Sequence, residues 1–258
     1  MIDNLQLNKN LFSKNRFLII DNFLNYDFAL DCQKEVINSN KDNFDRYENP
    51  FEQKYTWRDK KNLPINCSKL FSILNSKDFI NELNLLTGYN LLEDTTKNWW
   101  GIHTFENNDK LDIHVDAGRH PKNNLKKILT CGLYLSFNWK KENGGNLEFW
   151  SGDNSSLDNA NIYKCIQSIE PKFNRFIIFE NNDYSWHGAP EPCKCKDNEI
   201  RIFITCSYLV DINSYYFKNN RKKAFFVKRP NDQDDEVKDR LRLERSDPEK
   251  CIKIYNIN

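Results

Sequence analysis

The run ILTCGLYLSFNWKKENGGNLEFW (128–150) decides how this chain is read. Two short stretches of strand-forming residues flank a polar segment, and Gly144-Gly145 marks a tight turn before the second. The same texture extends outward in both directions. WWGIHTF (99–105) and residues 111–115 precede it, and residues 162–168, RFIIF (175–179) and IRIFITCSYL (200–209) follow. Turn-forming clusters separate them: Asn107-Asn108-Asp109, Asn123-Asn124, Ser151-Gly152-Asp153-Asn154 and Asn181-Asn182-Asp183. Many short strands at this spacing predict an all-β sandwich or barrel.

The flanks differ. Phe17 to Phe23 reads as a strand, and Tyr26 to Ile37 as an amphipathic helix with apolar residues at 28, 29, 30, 32 and 36. Residues 43–66 are polar, carry Pro50 and Pro64, and read as a loop. Cys67 to Leu74 and Asp78 to Leu86 read as two helices, the second stopped by Gly88. Beyond residue 211 charge rises and periodicity fades, except for a helix over Asp234 to Glu244. The expected organisation is one structural unit: a strand and helix layer (1–95), a β core (96–210) and a polar, surface-wrapping extension (211–258).

The 258 residues carry 38 Lys+Arg against 37 Asp+Glu, a formal net charge of +1. That balance offers no electrostatic footprint for nucleic acid or an anionic membrane. MIDNLQLNKN lacks the layout of a signal peptide, and the run Phe17-Leu18-Ile19-Ile20 is far too short to span a bilayer. A cytoplasmic location is therefore expected, with the eight cysteines reduced and acting as packing residues.

Of the four histidines, His114 ends a strand in His114-Val115-Asp116. Residues i and i+2 of a strand share a face, so an imidazole and a carboxylate can meet on one metal. His187 follows the strand at 175–179. Two His and one carboxylate leave open positions on a metal, the pattern of non-haem Fe(II) oxygenases. Taken alone, His-x-Asp is weak evidence; a strand-end His and a turn-capping Asp look the same. Arg201 adds to it. It opens the strand Arg201-Ile202-Phe203-Ile204-Thr205, apolar on both faces, where a buried guanidinium needs an anionic partner. The plain alternatives are solvent exposure or pairing with Glu199.

The order of these motifs resembles the 2-oxoglutarate- and Fe(II)-dependent oxygenases of the prolyl 4-hydroxylase-like family, its bacterial and viral subgroup in particular. FLIIDNFLNYDFA (17–29) is similar to the strand and helix that open those domains, and GIHTFENNDKLDIHVD (101–116) to the metal-bearing strand pair. LTCGLYLSFNWKKENGGNLEFW (129–150) resembles the Tyr-containing strand and Gly-Gly hairpin. KFNRFIIFENNDYSWHGAPEP (172–192) and IRIFITCSYL resemble the strands of the distal His and the co-substrate Arg. The resemblance implies a double-stranded β-helix, a cupin-like jelly roll with flanking helices. It implies His114, Asp116 and His187 as iron ligands, and Arg201 with Tyr134 on the C5 carboxylate of 2-oxoglutarate. The implied cofactors are Fe(II), 2-oxoglutarate and O2, with ascorbate as accompanying reductant. A segment of about ten residues with Pro190, Pro192, Cys193 and Cys195 before the Arg strand departs from the family's pattern, as does Ile202-Phe203 after Arg201. Asp116 is a carboxylate where related halogenases carry a small residue, which favours hydroxylation.

Further candidates are weaker. His103 and Trp100 precede the metal strand and could line the substrate mouth, and Arg119 lies on the loop after it. His120 reads as a solvated loop residue and Trp186 as packing. Cys193 and Cys195 lack a second pair at zinc spacing. The basic run Lys218 to Lys228, including Phe225-Phe226, is offset by the acidic stretch from Asp232 and reads as a solvated tail. The expected activity is hydroxylation of an unactivated C–H bond, with release of succinate and CO2. The substrate is a prolyl or other peptidyl residue, or a small metabolite such as an amino acid or sugar derivative. The rivals are a cupin-like metal or ligand binder without turnover and a nucleic-acid dealkylase of the same superfamily.

Overall fold

The computed structural model describes residues 1–5, 7–196, 199–214, 216 and 221–251. In chain order the elements are α1 (Lys9–Asn15), β1 (Phe17–Ile20), α2 (Tyr26–Ile37), β2 (Phe44–Glu48), β3 (Glu52–Trp57), α3 (Ile65–Leu74), α4 (Lys77–Thr87) and β4 (Leu92–Glu93). Then follow β5 (Gly101–Phe105), β6 (Lys110–Val115), β7 (Leu125–Tyr134), β8 (Leu147–Gly152), β9 (Ile162–Ile169) and β10 (Arg175–Glu180). The last are β11 (Trp186–Ala189), β12 (Arg201–Asp211), β13 (Phe225–Phe226) and α5 (Glu236–Ser246). Among the described residues no helix is long and apolar enough to cross a membrane.

The strands form one curled antiparallel sheet in the order β1-β10-β7-β12-β5-β3-β6-β11-β8-β9, a jelly roll with α2, α3 and α4 packed on one face and α5 on β13. β3 is the seam, pairing with β5 through Tyr55 and Thr56 and with β6 through Glu52 and Gln53. Alternation explains how one strand serves two environments. On β7, Leu129, Cys131 and Leu133 join the main core under the helices, as do Ile202, Ile204 and Cys206 of β12 and Phe176 and Ile178 of β10. The intervening Tyr134, Ile177, Phe179 and Phe203 turn inward and pack between the two halves of the roll. Helices α2, α3 and α4 bury Cys32, Val36, Leu70, Phe71 and Leu83 against the outer face. Each such side chain contributes about 1.5–3 kcal/mol by leaving water. All eight cysteines are free thiols.

Two expectations are overturned here. Residues 43–66 are not one loop, because 44–57 form the β2–β3 hairpin. Its turn is closed by the Asn49 side chain, which accepts from the Phe51 and Glu52 amides at 3.0 and 3.1 Å. The hairpin escapes a hydrophobic pattern because its inward positions Glu52 and Thr56 make polar contacts. Phe225 and Phe226 are not in a solvated tail. Both are 2% exposed, and β13 pairs with β6. Of the basic run, residues 218–220 lie outside the described residues.

Candidate metal centre and co-substrate pocket

His114 is the penultimate residue of β6, Asp116 lies two residues on, and β11 sets His187 opposite His114 in register. Gly188 permits this. A Cβ there would meet the Leu111 and Asp112 carbonyl oxygens at 2.7 Å, so only glycine lets the two strands close. One ligating atom from each of His114, Asp116 and His187 falls within 4.8 Å of the others. Among the described residues this is the sole group of three or more potential ligands so arranged.

The protonation pattern suits a metal. His114 Nδ1 lies 2.9 Å from the Asp112 carbonyl oxygen and His187 Nδ1 lies 2.7 Å from that of Ser185. Each Nδ1–H donates to its carbonyl, which leaves both Nε2 lone pairs facing the centre. His114 Nε2 is 3.5 Å from Asp116 Oδ1. Burial, and next the neighbouring His114, lowers His187 to about 4, so its ring is neutral at ordinary pH. Burial would raise the Asp116 carboxyl, but Lys127, His114 and His187 outweigh it and hold the group well below the usual carboxylate range.

Lys127 is a site residue that the sequence reading missed. Its Nζ donates to Asp116 Oδ2 at 2.7 Å, and the side chain is only 9% exposed. The β7–β12 register runs Tyr208 with Leu129 and then Leu209 with Lys127, skipping Ile128. That bulge turns Lys127 to the inner face, against simple alternation. With its amide nitrogen facing the carboxylate, Asn181 donates to the same Oδ2 at 3.0 Å and accepts from Thr130. Oδ2, which lies 3.8 Å from His187 Nε2, is thus held by the protein, while Oδ1 faces His114.

A second candidate group lies on β12 and β7. Arg201 is 3% exposed and its Nη2 donates to the Tyr134 hydroxyl at 2.8 Å. Its guanidinium lies 4.5 Å from the Phe105 ring centroid and 4.9 Å from that of Tyr134. Among the described residues it has no carboxylate partner, and its buried Nε has no hydrogen-bond acceptor. Glu199 turns instead to Asn143 and the Lys196 amide. Gly145, at φ 68°, makes room, since a Cβ would sit 2.9 Å from Arg201 Cδ. Tyr134 is fully buried, and burial raises its phenol, so it keeps its proton. Its oxygen accepts from Arg201, leaving the O–H to donate. A buried guanidinium with an orphan N–H, bonded to a phenol that can still donate, fits a carboxylate group.

The remaining candidates are placed elsewhere. His103 is held between Thr56 Oγ1 (3.0 Å) and Thr205 Oγ1 (3.1 Å) on the inner face. Trp100 stacks on Phe71 of α3 in the main core, at 5.2 Å between ring centroids. Arg119 is exposed, its amide bonded to the Arg221 carbonyl. His120 is not solvated: it is 2% exposed, with Nε2 3.3 Å from Asp94 Oδ1. Its Nδ1 accepts from the Lys122 amide, so the proton sits on Nε2 and faces Asp94. Trp186 is fully buried and donates to the Asp153 carbonyl.

Residues 100–208 match the model of the 2OG-Fe(II) oxygenase superfamily. The chain carries a 2OG-Fe(II) oxygenase domain. The match implies Fe(II), 2-oxoglutarate and O2 as cofactors and an oxygenase activity for this domain. Solved structures share the fold at low identity. A prolyl hydroxylase from Trichoplax adhaerens, in complex with a hypoxia inducible factor peptide fragment, is 19% identical over 78% of this chain and 87% of that one, with a TM-score of 0.59. A Pseudomonas putida prolyl-4-hydroxylase is 13% identical over 78% and 95%, with a TM-score of 0.54. HygX from Streptomyces hygroscopicus, with nickel, 2-oxoglutarate and hygromycin B bound, is 11% identical over 84% and 90%, with a TM-score of 0.52. No curated protein matches the chain by sequence.

Proposed function

We propose that this oxygenase hydroxylates an unactivated C–H bond of a peptidyl residue or a small metabolite. The observations that carry the reading are the convergence of His114, Asp116 and His187 and a buried Arg201 with no carboxylate partner among the described residues. In this reading His114 Nε2, His187 Nε2 and one Asp116 oxygen hold Fe(II) and leave positions open. Bound iron and 2-oxoglutarate supply oxidative decarboxylation to succinate and CO2, coupled to oxygen insertion into the substrate. The protein's part is orientation. The Asp112 and Ser185 carbonyls fix the two imidazole tautomers. Lys127 occupies one carboxylate oxygen and so keeps the other for the metal. Arg201 and Tyr134 anchor the C5 carboxylate of 2-oxoglutarate, and Phe149 and Phe179, beside the His187 ring, keep water from that side.

Both substrate classes occur among structures of this fold, one holding a peptide fragment and another hygromycin B. The test is turnover by the iron-loaded protein against pooled peptides and metabolites, read as succinate release together with a one-oxygen mass gain. Succinate and the mass gain appearing together, and only with iron, support the proposal. Absence of both from every pool, in protein that binds iron and 2-oxoglutarate, counts against it.

A further inference from the structure

The strand that carries His114 would have an open edge were it built from the oxygenase domain alone. On one side β6 is covered by β11. On the other, β3 pairs only with Lys110 and Leu111, at the end remote from His114. The edge beside His114 and Val115 is taken by β13, with Phe226 opposite His114 and Phe225 opposite Val115. Backbone bonds extend this contact. The Val227 amide donates to the Ile113 carbonyl at 3.0 Å, and the Gly118 and Arg119 amides donate to the Arg221 carbonyl at 2.9 and 3.1 Å.

Side chains reach the same histidine. The Phe226 ring lies 5.0 Å from the His114 ring, tilted 30°, and is backed by Phe51 at 5.2 Å. From α5, Lys238 Nζ is 2.8 Å from an Asp112 carboxylate oxygen, and Asp112 is the residue whose carbonyl accepts from His114 Nδ1. The Arg245 guanidinium sits 5.4 Å from the Phe226 centroid. A single hydrogen bond at Nδ1 fixes which nitrogen faces the metal but leaves the ring a hinge. A wall of aromatic carbon against its face removes that freedom.

Resting on the metal-centre reading above, we infer that the C-terminal segment from Arg221 to Ser246 completes the metal centre, and that Phe226 is a positioning residue for His114. Phe225 supplies an internal control. It lies on the same strand and is equally buried, but its ring packs on Trp186, 5.8 Å away, among Ile113, Val115 and Ile162 on the opposite face. Loss of either ring weakens the strand, but only loss of Phe226 frees His114.

The experiment titrates metal-free full-length protein with Co(II), reading its affinity and visible absorption spectrum, alongside thermal unfolding. Phe226→Ala and Phe226→Leu should weaken Co(II) about 10- to 100-fold and change the spectrum, the range typical of groups that orient a metal ligand, whereas Phe225→Ala stays within about twofold. Phe226→Leu keeps most of the volume and carries the comparison if Phe226→Ala does not fold. Equal effects at both positions, in proportion to lost stability, would overturn the inference, as would an unchanged Co(II) site in both Phe226 variants. A wild-type chain that binds no Co(II) would overturn the metal-centre reading first, and this inference with it.

Discussion

His187 stands directly opposite His114 across the β6–β11 pair, with ring centroids 4.6 Å apart. The sheet register sets that distance, so neither residue reaches the centre without the other. His187→Ala should therefore abolish stoichiometric metal binding while leaving the fold intact. Metal analysis after loading, beside circular dichroism, checks this. A variant that retains one iron per chain would show that His187 is not a ligand.

Lys127 and Asp116 form a largely buried pair in the metal-free chain. Lys127→Met should cost the metal-free protein about 1–3 kcal/mol, the penalty for taking the charged donor from a largely buried carboxylate. The deficit should shrink once metal is bound, because the ion then neutralises Asp116. Urea unfolding of both forms measures it. An equal deficit with and without metal would point to a purely structural lysine.

Arg201 and Tyr134 should differ sharply as co-substrate anchors. Truncating one partner of a buried charged pair costs about 2–5 kcal/mol, so Arg201→Ala should weaken 2-oxoglutarate binding by roughly 30- to 3000-fold. Tyr134→Phe removes one neutral hydroxyl and should cost about 0.5–1.5 kcal/mol. Metal content should survive both changes. The ranking is decisive: equal affinity in Arg201→Ala and wild type would place the anchor elsewhere.

Strands with apolar residues on both faces were legible from sequence, since β7, β10 and β12 alternate between the helix layer and the interior. Helices α2, α3 and α4 were legible from their spacing and from Gly88, which ends α4 at φ 76°. What escaped depended on partners distant in the chain. The polar β2–β3 hairpin is a strand pair because β5 and β6 receive it. Four-residue β11 has no pattern of its own and is defined by β6 and β8. In the site, His-x-Asp and Arg201 carry local signatures. Lys127 needs a bulge to face inward, and Phe226 looked like part of a charged tail until β6 supplied its partner.

His103 predicts a pH effect. Burial, with the Lys54, Lys60 and Arg201 cations, holds it well below the ordinary 6.5. As pH falls below 6.5 the unfolded chain takes up a proton that the folded chain refuses, so stability is present above that pH and declines below it. His103→Gln should reduce the slope of stability between pH 6.5 and 5 by up to about 1.4 kcal/mol per pH unit. Urea titrations across that range check it, and an unchanged slope would mean that His103 protonates freely in the folded protein.

One metal, held by His114, Asp116 and His187, and one dicarboxylate, held by Arg201, should occupy a single composite site. Anaerobic calorimetry of 2-oxoglutarate binding, with and without Fe(II), tests it most directly. The expected result is one 2-oxoglutarate per chain only when iron is present, lost in His187→Ala and strongly weakened in Arg201→Ala. Equal 2-oxoglutarate affinity in the presence and absence of iron, or undiminished iron-dependent binding in His187→Ala, would contradict the account.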